Sequence, residues 1–158
     1  MNLSELSGSF PFQWKVQTLT FKKDKYSCVA YIDARDVMDH LDKVCGPENW
    51  QDEYYSVTDT LCCKIGIKIG TEWVWKSDGG AENDNEKLGS GMKTKGEISD
   101  AFKRAAVKWG VGRFLYNQPI QYVMAKEVGA GKYQPVSQDG EILYGDQLTA
   151  YINSKLRK

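Results

Sequence analysis

Lys103, Arg104 and Lys108 fall within a single run, SDAFKRAAVKWGVGRFLYN, and Arg113 follows two glycines in the same run. Cationic side chains so spaced do one kind of chemistry well: they neutralise phosphate groups, whatever else the phosphates carry. Between residues 87 and 113 stand seven cations (Lys87, Lys93, Lys95, Lys103, Arg104, Lys108, Arg113) against Glu97 and Asp100, a local balance of +5. Over the whole chain 21 Lys and Arg meet 21 Asp and Glu, so any attraction for a polyanion has to come from segregated charge. The opposite pole lies between residues 33 and 53, where seven acids outnumber Arg35 and Lys43 for a balance of −5. Solvated helices also carry Lys and Arg for solubility, and charge alone does not separate the two uses.

Other chemistries find less material. His40 is the single histidine, placed among acids on a predicted helix, which suits a solvated residue better than a zinc ligand or a hydrolytic base. Cys28, Cys45, Cys62 and Cys63 show no CxxC spacing and read as reduced, small packing residues. Asp36, Asp39 and Asp42 lack the loop glycine and terminal glutamate of a calcium motif. The stretch GSGMKTKG (89–96) contains no glycine-lysine pair in the order that a Walker phosphate loop needs. A metal-dependent nuclease would have to draw on Glu72, Asp78, Glu82 or Asp84 with Lys76, which form no tight motif. The expectation is a protein with no catalytic residues, no cofactor and no metal.

The elements that must position these residues can be read in order. Residues 1–15 look irregular, with Phe10, Phe12 and Trp14 available to pack across a neighbour. Strands over 18–21 and 26–32 flank the turn Lys22-Lys23-Asp24-Lys25. That turn is either a lysine-protected hairpin tip or, through Lys23 and Lys25, part of a phosphate-tracking groove. Asp33 with Asp36 makes an acidic capping box for a helix that buries Val37, Met38, Leu41, Val44 and Cys45 and stops at Gly46-Pro47. Strands over 50–58, 61–69 and 72–76 form an antiparallel meander turned at Asp59-Thr60 and Gly70-Thr71. In its middle strand Leu61, Cys63, Ile65, Ile67 and Ile69 share one face; Trp73 and Trp75 share a face of the next strand and are assigned to packing.

Residues 78–96 are polar and glycine-rich, the segment expected to be mobile. The next helix places Ile98, Ala101, Phe102, Ala105, Ala106 and Trp109 on one buried arc, Lys103 on one flank and Arg104 with Lys108 on the other. Gly110 and Gly112 end it. Residues 118–144 read as irregular with room for short strands, and 145–156 as a final helix burying Leu148, Tyr151 and Ile152, with Leu156 as a further candidate. The fold class is therefore α+β: a twisted antiparallel sheet, hairpin plus three-stranded meander, packed on helices in a single domain spanning 1–158. No run of about 18 apolar residues and no signal-like start occurs, so a cytoplasmic protein without membrane contact is expected.

The run SDAFKRAAVKWGVGRFLY, with VAYIDARDVMDHLDKVCGPENWQDEY and GTEWVWKSDGG upstream of it, resembles the Rad-fifty-two superfamily of single-strand annealing proteins. Within it the phage Sak-type and bacterial DdrA-type members are most alike. The resemblance sets 17–117 as an annealing core and 118–158 as a C-terminal extension with a short helix. It implies a homo-oligomeric ring or filament that lays single-stranded DNA in a basic groove with its bases outward. It further implies ATP-independent annealing in recombination and double-strand break repair, and a cognate single-strand-binding protein as partner. The family's lysine-arginine pair on the long helix matches Lys103 and Arg104. A further arginine that some members carry one turn later is Val107 here, leaving Lys108 or Arg113 to supply that charge, with Lys93 and Lys95 as contacts before the helix. A non-enzymatic oligomeric scaffold or a DNA-end protection protein is the alternative.

Overall fold

The computed structural model describes residues 1–80 and 90–158, with side chains from residue 94 onward in the second stretch. After a 3-10 turn, Leu3–Ser7, come strands β1 (Gln13–Leu19) and β2 (Lys25–Tyr31) and helix α1 (Ala34–Cys45). Strands β3 (Trp50–Val57), β4 (Thr60–Ile69) and β5 (Glu72–Gly79) precede helix α2 (Ser90–Lys108). Strands β6 (Gln121–Gly129) and β7 (Lys132–Val136) and helix α3 (Asp146–Leu156) complete the order. The chain folds as two units, one of Met1–Phe10 with Ile32–Phe114 and one of Pro11–Tyr31 with Leu115–Lys158.

In the first unit α1 begins with the expected reciprocal cap: the Asp36 N–H donates to Asp33 Oδ1 at 3.0 Å and the Asp33 N–H to Asp36 Oδ2 at 2.9 Å. Its buried stripe is narrower than expected, Val37, Leu41 and Cys45, because Met38 is exposed and Val44 half-buried. His40 is not a free surface residue. Its Nε2 lies 3.0 and 3.2 Å from the carbonyls of Glu5 and Leu6, and its ring stacks on Phe10, so it fastens the N-terminal turn to α1.

The meander β3-β4-β5 is antiparallel throughout. The first turn sits one residue earlier than the sequence suggests, on Thr58 and Asp59, both with positive φ, closing a Val57–Thr60 pair. This is the backbone hand that matches the twist of the strands. β4 buries Cys63, Ile65 and Ile67, while on the opposite face Gly66 lies under Trp75, where a Cβ would come within 2.9 Å of the indole.

Helix α2 packs on β4 and β5 through Ala101, Phe102, Ala105 and Ala106, all buried. It begins at Ser90, within the stretch expected to be mobile, and continues through Gly96. An interior glycine costs about 1 kcal/mol against alanine, a cost that packing against the meander can outweigh. The rest of that stretch, 81–89, falls outside the described residues. Helix and sheet lie close enough that a Cβ on Gly80 would stand 2.9 Å from the Glu97 carbonyl oxygen. Two members of the expected buried arc differ: Ile98 is exposed, and Trp109 is half-buried with its indole donating to the Ile65 carbonyl at 2.9 Å. Gly110 and Gly112 then turn the chain at φ +100° and +85°.

In the second unit the hairpin joins β6 and β7, not the meander, in a four-stranded antiparallel sheet ordered β1-β2-β6-β7. Residues read as irregular at both ends of the sequence thus supply strands. β1 starts at Gln13 because Trp14 is pinned: its N–H donates to Thr149 Oγ1 at 3.0 Å and its indole N–H to Asn153 Oδ1 at 3.1 Å. Trp14, Cys28, Val123, Leu143, Leu148 and Ile152 form the core under α3, with Tyr151 partly buried beside it and Leu156 exposed. All four cysteines are free and buried. Among the described residues, no helix is long and apolar enough to cross a membrane.

Candidate nucleic-acid interface

The buried alanines of α2 fix its roll on the meander, and that roll decides where each neighbouring cation emerges. Lys103 leaves on the α1 side, half-buried, and its ammonium donates to the Ile32 carbonyl at 3.4 Å, just before the cap of α1. Arg104 leaves on the other side, where its guanidinium meets the Asp78 carboxylate of β5 at 3.6 Å. The lysine-arginine pair is therefore split across the helix, as the flanks read from the sequence require.

Arg104 shares its border with Lys108, one helical turn on and exposed. At the end of that border two cations, Lys76 and Arg113, gather on the last carbonyls of α2. The Lys76 ammonium donates to the Lys108 carbonyl at 3.3 Å and lies 4.7 Å from the centre of the Trp109 ring. Arg113 donates from Nε to the Val107 carbonyl at 2.8 Å and from Nη2 to the Lys108 carbonyl at 3.0 Å. Carbonyls at a helix C-terminus have no partner within the helix, and the dipole there favours cations. Arg113 and Lys76 thus close the helix end as well as adding charge, and Lys76, Arg104, Lys108 and Arg113 form one cationic edge along α2 and β5.

Lys76 is the member that sequence reading missed. In the sequence it stands as a companion of carboxylates at the end of a strand, whereas β5 runs on to Gly79 and turns Lys76 and Asp78 to the same side as the helix. Lys95 is exposed on the N-terminal half of α2; the Lys93 side chain lies outside the described residues. Lys23 and Lys25 belong to the second unit, at the tip of the β1–β2 hairpin.

The described acids invoked for a nuclease do not converge. Glu72 and Asp78 are six residues apart on β5, which at strand rise is about 20 Å; Glu82 and Asp84 fall outside the described residues. The buried thiols are pushed toward their neutral forms, Cys28 to about 11 and Cys63 to about 12, in each case mainly by burial.

A family model described as the Rad52/22 family of double-strand break repair proteins matches residues 1–132. The single-stranded DNA-binding protein DdrA of Deinococcus deserti is 36% identical over 135 residues, covering 84% of this chain and 63% of the relative. The protein of the same name from Deinococcus radiodurans is 32% identical over 120 residues, covering 74% and 55%. The chain thus spans between 55% and 63% of the length of these relatives. No solved structure matches the chain significantly.

Proposed function

Because the chain belongs to the Rad52/22 family of double-strand break repair proteins, we propose that it binds single-stranded DNA and anneals complementary strands without nucleotide hydrolysis. The observation that carries this reading is the edge of α2 and β5, where Arg104, Lys108, Lys76 and Arg113 concentrate positive charge on a chain of zero net charge. Such an edge tracks a sugar-phosphate backbone with little regard for sequence, so affinity falls steeply with salt. A strand held by its phosphates leaves its base edges free. Partial neutralisation also lowers the repulsion that a second strand meets, so pairing and stacking supply the driving force. The printed names of the two relatives, single-stranded DNA-binding proteins, agree with this substrate.

Lys103 serves in the same task from the α1 side of the helix, with Lys95 and Lys93 ahead of it and Lys23 and Lys25 on the hairpin. A single-strand binder of this size spans about 4 to 16 nucleotides, so several copies act together as a homo-oligomer, a ring or a filament. β3, at an edge of the meander, carries the exposed residues Tyr54, Tyr55 and Val57, an apolar margin suited to another copy. A cognate single-strand-binding protein is the expected partner, and the site of action is the cell interior, where the DNA is. The test is annealing of complementary oligonucleotides in EDTA and without ATP, with subunit mass measured alongside. Strand pairing by an oligomer is expected; absence of binding to single strands, or annealing by a monomer, refutes the reading.

A further inference from the structure

Phe21 is fully exposed at the tip of the β1–β2 hairpin. The tip itself is well fixed. Thr20 donates its N–H to the Lys25 carbonyl at 2.9 Å, Lys23 returns an N–H to the Thr20 carbonyl at 2.8 Å, and the Thr20 hydroxyl donates to Asp24 Oδ1 at 2.9 Å. The Asp24 carbonyl in turn accepts from the Ala125 N–H on β6 at 2.8 Å. Turn geometry calls for glycine, asparagine, aspartate or proline, and nothing in it calls for phenylalanine. The ring reaches no core.

Scattered exposed apolar residues are ordinary, and Phe21 alone would mean little. Its surroundings give it direction. Lys22, Lys23 and Lys25 are its neighbours in the chain, and half-exposed Tyr122 of β6 lines the same shallow recess as Thr20, Phe21, Lys22, Asp24 and Lys25. An apolar partner surface would have to strip water from three ammonium groups, at a cost that the one Asp24 carboxylate among them does not repay. A single-stranded nucleic acid meets both features at once, a π-face for the ring and a phosphate for each neighbouring lysine.

We propose that the β1–β2 tip is a base-stacking subsite for single-stranded nucleic acid, in which Phe21, with Tyr122 beside it, takes an unpaired nucleobase while Lys22 and Lys25 hold the flanking phosphates. This rests on the binding activity proposed above. It adds to that activity a contact with the bases, which an edge of cations does not make.

The experiment is equilibrium binding of the full chain to an oligothymidylate and to an abasic oligonucleotide of equal length. Both carry the same phosphates, and only the first carries bases. Phe21→Ala is expected to weaken binding of oligothymidylate by about fivefold to a hundredfold, the range of base–aromatic stacking, and to leave the abasic strand within about twofold. Phe21→Trp retains the preference for the base-bearing strand. Lys22→Ala with Lys25→Ala weakens both strands and flattens the salt dependence. Equal effects of Phe21→Ala on both strands, or none on either, overturn the subsite while the wild-type affinity leaves the broader reading intact. A change of subunit mass in Phe21→Ala without a change in the ratio of the two affinities makes the ring an interface between copies and also overturns it. Wild-type chain that binds neither oligonucleotide overturns both.

Discussion

Asp78 holds Arg104 in check, so removing the acid should strengthen the binding that removing the base weakens. The guanidinium and carboxylate are 3.6 Å apart, with the Arg104 side chain 53% and the Asp78 side chain 27% exposed. At that distance the Coulomb attraction is about 1 kcal/mol in bulk water and about 5 kcal/mol at an effective dielectric of 20. Measured exposed pairs return only about 0.2–1 kcal/mol once screening and side-chain entropy are included. Releasing Arg104 to a phosphate is therefore worth at most about fivefold in affinity. Asp78→Asn makes the cleanest perturbation, because Asp78 Oδ1 accepts the Gly79 N–H at 2.8 Å and the asparagine carbonyl can keep that bond. Affinity for a labelled single-stranded oligonucleotide, measured by anisotropy across a salt series, should rise for Asp78→Asn and most so at low salt. Arg104→Ala should lose affinity and flatten the slope of log K against log salt by about 0.7, one phosphate contact on a single strand. Over a fourfold change in salt that is a difference of about two- to threefold. If Asp78→Asn weakens binding, or both variants behave as wild type at every salt concentration, the edge of α2 and β5 is not where the phosphates lie.

Two further outcomes follow from the same coordinates. Arg113→Ala removes one of the two donors on each of the Val107 and Lys108 carbonyls, leaving the Gly110 N–H and the Lys76 ammonium, and should lower stability by about 1 kcal/mol, read as a fall in the denaturation midpoint; Arg113→Lys, with one point charge for two carbonyls, should recover less than half. Cys28, buried and with its thiol held near 11, should react with iodoacetamide at pH 8.5 about a hundredfold more slowly in the folded chain than in denaturant. The sign follows from the raised value: the folded state keeps the neutral thiol, so this contribution to stability is whole below pH 9 and is lost as pH rises toward 11.

Much of this was legible in local sequence, for a reason common to each case. The capping box of Asp33 and Asp36, the alternation of β4, the alanine face of α2 and the glycine exit at 110 and 112 are all set by residues within one turn or one strand of each other. Where partners lie far apart in sequence the reading failed. Residues 121–136 lack clean alternation and leave room only for short strands of unstated pairing, until β2 offers its edge to β6. Gln13 and Trp14 extend β1 into an apparently irregular N-terminus because Tyr31 and Ala30 of β2 pair with them and Thr149 and Asn153 of α3 hold Trp14 on the other side. His40 looks solvated beside its neighbouring acids, yet the carbonyls that hold it are more than thirty residues away.

That α2 carries cations on both flanks of a buried seam is a local property, because helical periodicity places Lys103 opposite Arg104 and Lys108 whatever the helix packs against. Tertiary structure alone decided what those cations meet. β5 lays Lys76 and Asp78 along one flank, the carbonyls at the helix end claim Arg113, and Ile32, the residue before the cap of α1, supplies a carbonyl for Lys103. Charge is a property of the residue, but its availability depends on which neighbour the fold sets within reach.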